Sequence, residues 1–298
     1  MEEVVAKTIL SKRSVEAGNW WFGVKYNMNL YRGCSHGCIY CDSRSDCYRI
    51  DNFDRVKPKK DALLIFESEL MRKKDRGSVI GIGAMSDSYN PLEKKLELTR
   101  GALLLINKYG FGISLETKST LIERDIDILK SINEKNNVVI KFTITCADDL
   151  LSKRIEPYTN VSSERFATIR KISEVGICVG VLLMPILPYI NDSIDNIKEI
   201  VRLSYENGAK FIYPSFGVTL RDNQREYFYK KLDDLYPKLK NKYISEYGLS
   251  YECRSRNYKE LSKVFQEECN KYGLLYKMED IIELYQYNNK TAEQMVLF

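Results

Sequence analysis

Three cysteines, Cys34, Cys38 and Cys41, stand close together in the sequence with a C-x3-C-x2-C spacing. Three thiolates on a tight loop can hold one face of a small iron–sulfur cube, which normally takes four thiolate ligands. The fourth iron is then open to another ligand, and an open position distinguishes a reactive metal site from a closed structural one. Gly33 and Gly37 allow the backbone to turn around such a group, where a Cβ atom would clash. The spacing therefore predicts a reactive iron–sulfur site.

A closed zinc site is the alternative interpretation of the same stretch. Cys47 lies six residues after Cys41 and would give a structural four-thiolate site with the other three cysteines. The protein would then be non-catalytic. Zinc sites are usually built from paired C-x2-C halves, and this stretch has one such half, so the iron–sulfur interpretation is favoured.

The wider stretch from Asn29 to Cys41, NLYRGCSHGCIYC, resembles the radical S-adenosylmethionine (SAM) superfamily, with the aromatic Tyr40 before the last cysteine. It is more narrowly similar to the spore photoproduct lyase-like, or DNA repair photolyase-like, family. The resemblance implies a [4Fe-4S] cluster on Cys34, Cys38 and Cys41, with SAM chelating the open iron through its amino and carboxylate groups. It also implies that the reduced cluster cleaves SAM to methionine and a 5′-deoxyadenosyl radical.

Bulk properties limit the class of protein. The 298 residues suffice for one α/β barrel domain, and the net charge of +5 permits a phosphate-bearing partner without requiring one. The acidic first residues do not resemble a signal peptide, and the longest apolar run, near residues 181–187, is far shorter than the ~20 residues of a membrane span. Eight cysteines in a chain of this length do not indicate a disulfide framework. We expect a cytoplasmic protein without a membrane partner.

Strands and helices alternate from about Tyr26 to Phe216. The predicted strands cover residues 26–31, 79–83, 111–116, 138–145, 177–184 and 210–214. The predicted helices between them cover residues 61–74, 92–109, 121–132, 163–175 and 194–207. This alternation predicts an α/β fold with a parallel sheet. Six strands rather than eight indicate a partial (βα)6 TIM-like barrel, open at one side, and the resemblance implies the same form. The chemistry is expected at the carboxyl ends of the strands.

The predicted domain organisation has three parts: an N-terminal arm over residues 1–25, the barrel core over 26–220 and a helical extension over 221–298. Amphipathic helices over 222–247 and 257–272 are expected to close the open side or the bottom of the barrel. The extension also carries aromatic and basic residues that are able to stack on nucleobases and contact phosphates, namely Tyr251, Arg254, Arg256 and Tyr258. A solvated helical face is the alternative.

Polar residues follow several predicted strands, where the resemblance places the SAM site. It implies that Ser86 and Asp87 bind the amino group of SAM and that Lys118 pairs with its carboxylate. Thr143 matches a hydroxyl position that contacts SAM, and the bend around Ile186 matches one that lies against adenine. Each position also has a plain structural interpretation, but together, in chain order, they support the cysteine motif.

We therefore predict a radical SAM enzyme that acts on DNA or another nucleic acid and takes electrons from a flavodoxin- or ferredoxin-type donor. The alternative is the same chemistry on a peptide or a small metabolite. Lyases of the resembled family carry a hydrogen-donating cysteine just before the Ser-Asp pair, whereas this sequence has Ala84 and Met85 there. The protein is thus expected to be lyase-like without being a true spore photoproduct lyase.

The last residues, Gln294–Phe298, form a second expected partner site. They resemble the short Gln-x-x-Leu-Phe peptides that dock on bacterial sliding clamps, and an extended tail with apolar anchors suits such a pocket. A tail packed against its own domain is the alternative.

Overall fold

The computed structural model describes residues 2–13 and 21–287. Its strands are β1 Leu10–Lys12, β2 Tyr26–Met28, β3 Tyr31–Arg32, β4 Lys57–Pro58, β5 Val79–Ile82, β6 Gly112–Thr117, β7 Val138–Thr143, β8 Cys178–Leu183, β9 Phe211–Pro214, β10 Gly217–Thr219 and β11 Glu252–Arg254. Its α-helices are α1 Ala62–Arg72, α2 Glu93–Leu96, α3 Leu98–Tyr109, α4 Ile126–Asn133, α5 Asp149–Ile155, α6 Ser162–Glu174, α7 Ile194–Glu206, α8 Gln224–Leu235, α9 Leu239–Tyr247, α10 Tyr258–Tyr272 and α11 Met278–Tyr287. None of these helices is long and apolar enough to cross a membrane.

One large sheet organises the fold. Its strands lie in the order β1-β2-β5-β6-β7-β8-β9, and the six from β2 onward pair in parallel. At one edge β1, from the predicted N-terminal arm, pairs antiparallel with β2. The sheet stays open between β1 and β9. This arrangement confirms the predicted α/β class and the partial (βα)6 barrel, with a helical C-terminal region.

Successive strand residues face opposite sides of the sheet, and the two sides differ in composition. Residues such as Ile113, Ile140 and Val181 face the helices and belong to the main core, where they are fully buried. The positions between them face the barrel interior. There Gly180 is required, because a Cβ atom at this position would lie 2.5 Å from the ring of Phe211.

The N-terminal segment and the last described helix meet in the barrel interior. Phe22 is fully buried, and it shares an apolar cluster with Phe211 of β9 and with Ile281 and Tyr285 of α11. Its backbone N–H donates to Met278 Sδ at 3.2 Å, and its carbonyl accepts from the Tyr285 hydroxyl at 2.6 Å. Helix α11, which the sequence analysis did not predict, thus fills the interior from below the site.

Several element boundaries differ from the sequence prediction. The first predicted strand ends at Met28, because the next residues, Tyr31–Arg32, pair with Lys57–Pro58 in a separate small sheet. The predicted helix over 92–109 is interrupted at Glu97, whose φ of 50° lies in the left-handed region. The predicted helix over 222–247 is divided after Leu235, since Pro237 lacks the N–H that a continuous helix needs. The short strands β10 and β11 and helix α5 were not predicted.

Candidate active site

The cysteine loop follows the first strands and is fixed by backbone hydrogen bonds to distant parts of the chain. The Cys34 N–H donates to the Phe53 carbonyl at 2.9 Å, and the Ile39 N–H donates to the carbonyl of residue 155 at 3.0 Å. The carbonyl of His36 accepts from the backbone N–H of Tyr158 at 3.1 Å. The loop is therefore anchored on both sides, which is what a rigid ligand set requires.

Gly33 and Gly37 have the conformational role that the sequence predicted. Their φ angles of 82° and 70° lie in the left-handed region, which favours glycine. A Cβ atom on Gly33 would lie 2.5 Å from the Phe53 carbonyl oxygen, and one on Gly37 would lie 2.8 Å from the ring of Tyr158. The crowding comes from the protein that holds the loop, so both glycines let the loop pack closely against its supports.

A cavity of about 300 Å³ opens at the carboxyl edge of the parallel strands. It is lined by Trp21, Cys34, His36, Cys38, Tyr40, Cys41, Asp42, Ser43, Gly83, Ala84, Met85, Asp87, Glu116, Thr117, Lys118, Thr143, Leu182, Met184, Pro185, Ser215, Gly217, Val218 and Thr219. Most of the predicted site residues thus meet in one place. Two do not, because Ser86 and Ile186 are buried but do not line the cavity.

The three thiols share this cavity and are free of disulfides. Burial raises the pKa of Cys34 to about 12, and it also raises the pKa values of Cys38 and Cys41, while the charge of Lys118 lowers the last two. These thiols need a cationic group to become thiolates, and metal binding supplies that stabilisation by displacing the protons. Three thiols around one cavity, two of them buried and that of Cys41 partly buried, are a donor set that fits an iron–sulfur cluster.

The zinc alternative does not fit the geometry. Cys47 is exposed, and its Sγ atom lies 3.2 Å from Nη1 of Arg221 and 3.3 Å from Oγ of Ser45. Over the described residues, no group of three or more His, Cys, Asp or Glu side chains converges on a position for a single metal ion, and this holds for Cys34, Cys38 and Cys41 as well. The predicted four-thiolate zinc site is therefore not formed.

Lys118 brings a positive charge to the cavity wall. Burial opposes this charge, but Cys38 and Glu156 nearby raise the pKa of Lys118 above the usual lysine value. Within the described ranges, no carboxylate lies within ion-pair distance of its Nζ atom, which lies 5.9 Å from the centre of the Tyr40 ring. The ammonium group is thus available to an anionic ligand in the cavity.

Asp87 joins the ends of two strands. Its carboxylate accepts hydrogen bonds from Thr117 Oγ1 at 2.7 Å and from the backbone N–H groups of Lys118 at 2.8 Å and Tyr89 at 2.9 Å. The Nδ1 atom of His36, in the cysteine loop, lies 3.5 Å away. The structure therefore gives Asp87 a bridging role between loops, and its predicted contact with the amino group of SAM remains a prediction.

A buried ion pair that the sequence analysis missed supports the site. Arg165 and Glu156 form a salt bridge with almost no solvent exposure, and Glu156 also accepts from the Tyr40 hydroxyl. Nη1 of Arg165 donates to the Thr143 carbonyl at 2.7 Å. Burial alone would raise the pKa of Glu156, but Arg165 lowers it below the usual value. The sequence offered one signal for this ion pair, since Arg165 falls among the buried positions of α6. That signal did not identify Glu156 as its partner.

Comparisons with known proteins agree with this site. The family model described as the Radical SAM superfamily matches residues 28–204, which is more than half of the chain. The chain belongs to the radical SAM superfamily. Membership implies that SAM and a [4Fe-4S] cluster are its cofactors.

The chain is also similar to individual proteins. An uncharacterized protein of Mycobacterium tuberculosis is 28% identical over 251 residues, covering 82% of this chain and 73% of that protein. An uncharacterized protein of Methanocaldococcus jannaschii is 31% identical over 172 residues, covering 57% and 63%. Among solved structures, spore photoproduct lyase complexed with a dinucleoside spore photoproduct has a TM-score of 0.62 at 16% identity, covering 84% of this chain and 74% of that chain. This last similarity shows a shared fold.

Proposed function

We propose that this protein cleaves SAM reductively to a 5′-deoxyadenosyl radical and uses that radical on nucleic acid, as a lyase-like repair or modification enzyme. One observation carries the radical chemistry. In a chain of this superfamily, three free thiols and the ammonium group of Lys118 line a single cavity at the carboxyl edge of the barrel strands.

In this proposal, different residues of the cavity have different roles. Cys34, Cys38 and Cys41 would hold the [4Fe-4S] cluster, which when bound supplies one electron for cleavage of SAM to methionine and the radical. Lys118 would neutralise the carboxylate of SAM. The apolar side of the cavity, which includes Leu182 and Met184, excludes water from a reactive intermediate.

Two observations favour nucleic acid as the substrate. The fold is similar to that of spore photoproduct lyase, which has been described with a dinucleoside spore photoproduct. A second cavity of about 250 Å³ is lined by Arg254 and Tyr258, and it shares four wall residues with the first, namely Ser215, Gly217, Val218 and Thr219. The Arg254 guanidinium lies 5.7 Å from the Tyr258 ring centre and pairs with Glu252 at 2.6 Å, so a phosphate would compete with that carboxylate while a base could stack on the Tyr258 ring. A peptide or a small metabolite is the second candidate substrate.

The proposal does not include clean reversal of a spore photoproduct. Ala84 and Met85 line the cavity at the position where the resembled lyases carry their hydrogen-donating cysteine. Neither side chain has a thiol, so the product radical must be quenched by another group.

Anaerobic reconstitution tests the enzymatic proposal. The reconstituted chain is expected to bind about four irons and four sulfides and to release 5′-deoxyadenosine from SAM when dithionite is added. The Cys38→Ala variant is the control and should lose both properties. Absence of 5′-deoxyadenosine from the wild type, despite a full iron content, would contradict the proposal.

The substrate class needs a separate experiment. Deuterated single-stranded oligonucleotides and deuterated peptides are each incubated with the reduced enzyme and SAM, and the isolated 5′-deoxyadenosine is analysed by mass spectrometry. Deuterium transfer from the oligonucleotides supports nucleic acid, whereas transfer from the peptides alone favours the second candidate.

The proposal extends to partners and location. A flavodoxin- or ferredoxin-type protein would supply the electron, and the reducing cytoplasm would keep the thiols free. The tail Gln294–Phe298 lies outside the described residues, so sliding-clamp binding stays a prediction. Co-elution of the full chain with a purified bacterial clamp, lost on deletion of residues 294–298, would support it, and equal binding by both forms would end it.

A further inference from the structure

A charged pair lies in the barrel interior, one layer below the residues assigned to SAM. Glu116 of β6 pairs in register with Lys141 of β7, and both face inward. Lys118 and Thr143 stand two residues further along the same strands, about 7 Å closer to the carboxyl edge. Glu116 lines the cavity, whereas Lys141 lies behind it. The pair therefore contributes to the floor of the site.

The two partners differ in how deeply they are buried. Lys141 is 2% exposed, and its Nζ atom lies 3.4 Å from Oε2 of Glu116 and 4.4 Å from the ring centre of Phe22. Glu116 remains 17% exposed on the cavity side. Burying an ion pair usually stabilises a fold less than apolar side chains of the same volume would. This ion pair lies at the floor of the cavity, and its carboxylate is on the cavity side. A role in binding a ligand would explain why a charged pair stands here in place of apolar side chains.

An aromatic side chain lines the same cavity as this carboxylate. Trp21 lines the same cavity, and its ring contacts Phe22 edge-to-face at 5.1 Å and Tyr213 edge-to-face at 5.3 Å. Phe22 is in turn fixed by Met278 through a hydrogen bond. Trp21 is thus positioned by packing on two rings and not by the cysteine loop.

We infer that Trp21 and Glu116 form a subsite for one nucleobase, in which the base packs on the indole and donates a ring N–H to the Glu116 carboxylate. The inference rests on the proposed function and narrows its substrate. An acceptor-only carboxylate selects bases that carry a ring N–H on the pairing edge, which are thymine, uracil and guanine. Adenine has no ring N–H on that edge and is the poorer ligand. Lys141, whose Nζ atom lies 3.4 Å from Oε2, orients the acceptor.

Removal of the donor from the ligand tests the inference without altering the protein. Fluorescein-labelled single-stranded hexathymidylate is titrated, by fluorescence anisotropy, with the anaerobically reconstituted full chain in the presence of SAM and without reductant. Its N3-methylated form keeps the phosphates and rings but lacks the N–H. Methylation is expected to weaken binding by about tenfold or more, since a hydrogen bond to a charged group is lost. Hexaadenylate should bind about as weakly as the methylated ligand.

A variant of Glu116 is then tested with the same two ligands. In Glu116→Gln the unmodified hexamer should bind more weakly than it binds to the wild type, and methylation should then change affinity clearly less than in the wild type, because the carboxamide oxygen accepts only a weaker, neutral hydrogen bond. Glu123→Gln is the matched control, because Glu123 pairs with Lys171 on the outer surface. It should retain the full effect of methylation.

Three outcomes would overturn the inference. The first is equal binding of methylated and unmethylated hexamers by the wild type. The second is no hexamer binding by a preparation that still releases 5′-deoxyadenosine on reduction. The third is a loss of SAM affinity in Glu116→Gln as large as its loss of hexamer affinity, which would assign Glu116 to the SAM site. Formation of 5′-deoxyadenosine by the same wild-type preparation reports on the radical chemistry separately, so failure of the subsite and failure of the enzyme are distinguishable.

Discussion

Among the residues that the structure describes, no carboxylate lies within ion-pair distance of the Lys118 ammonium group. Its ammonium group borders the cavity that holds the three thiols, and Cys38 and Glu156 raise its pKa despite burial. A cation in this position stabilises an anionic ligand more than a surface lysine does, because solvent screens it less. We therefore predict that Lys118 binds the carboxylate of SAM.

Replacement of this charge gives the first prediction. Lys118→Met should weaken SAM binding by about tenfold to a hundredfold, since a charge-assisted hydrogen bond is lost. Equilibrium dialysis of labelled SAM against the anaerobically reconstituted protein measures the change. Lys171→Met, which removes an exposed lysine paired with Glu123, is the control and should leave the affinity unchanged. Unchanged SAM affinity in Lys118→Met, with full iron content, would contradict the assignment.

At the scale of elements, Gly83 controls how β5 leads into the site. Its φ is 101°, and an added Cβ atom would overlap the carbonyl oxygen of Glu116 on the adjacent strand β6. Gly77, before the same strand, also has a positive φ of 80°, but nothing lies within 4 Å of its Cβ position. A side chain at Gly77 would therefore meet backbone strain alone, whereas a side chain at Gly83 would meet both backbone strain and a steric clash.

The second prediction uses that contrast. Gly77→Ala should destabilise the protein by about 1 kcal/mol through its strained φ alone. Gly83→Ala should cost about 3 kcal/mol or more, because the strand or Glu116 must also move. Urea unfolding of both variants provides the measurement. Equal destabilisation would show that the contact with Glu116 is easily relieved.

A third prediction concerns Asp75, which joins β2 to the turn before β5. Burial opposes its ionisation, but hydrogen bonds from Lys25 and Tyr26 lower the pKa of Asp75 to about 2. Because this pKa lies below the unfolded value, the carboxylate stabilises the fold above about pH 4, and the effect is lost as pH falls toward 2. Asp75→Asn should cost about 1 kcal/mol at pH 6, with allowance for solvent screening, and progressively less below pH 4. A difference in unfolding free energy that stays constant from pH 6 to pH 3 would contradict this.

The strand and helix order was predictable, but some details of the elements were not. Apolar runs bounded by Gly and Pro identified each parallel strand, because these strands are buried on both faces. The break at Glu97 has no local signal. It depends on Glu93, which is fully buried and accepts hydrogen bonds from Tyr31, Arg124 and the Thr99 N–H. Such a network joins residues far apart in sequence.

In the candidate site, too, some residues were predictable from the sequence and others were not. Cys34, Lys118 and Thr143 were predictable because each lies in a motif or at a strand end. The pairs Glu156–Arg165 and Glu116–Lys141 were not, since each depends on a partner that only the folded chain brings near. The sequence thus identified residues that line the cavity better than the residues that hold them in place.

At the scale of the whole molecule, the two ends of the described chain complete one interior. Ile281 of α11 is fully buried in the cluster with Phe22 and Phe211, whereas the neighbouring Ile282 is only partly buried. The same helix fixes Phe22, on which Trp21 packs. Helix α11 therefore supports the floor of the cavity from about 260 residues away in sequence.

The fourth prediction follows from this support. Ile281→Ala should destabilise the protein by about 2–5 kcal/mol, because it opens a cavity in a packed interior. Ile282→Ala, one residue further along the helix, should cost clearly less. Urea unfolding measures both, and tryptophan fluorescence should shift in Ile281→Ala. Similar costs for the two variants would show that the interior contact is not essential.

The meeting of Phe22 with α11 also has a consequence for how the protein is made. On the ribosome, residues 26–216 emerge well before residues 278–287. All six parallel strands are therefore synthesised before α11, the helix that packs inside the barrel. A nascent chain at that stage exposes Phe211 and the inner faces of its strands to water. We therefore expect the floor of the cavity that Cys34, Cys38 and Cys41 line to be complete only after α11 has been synthesised.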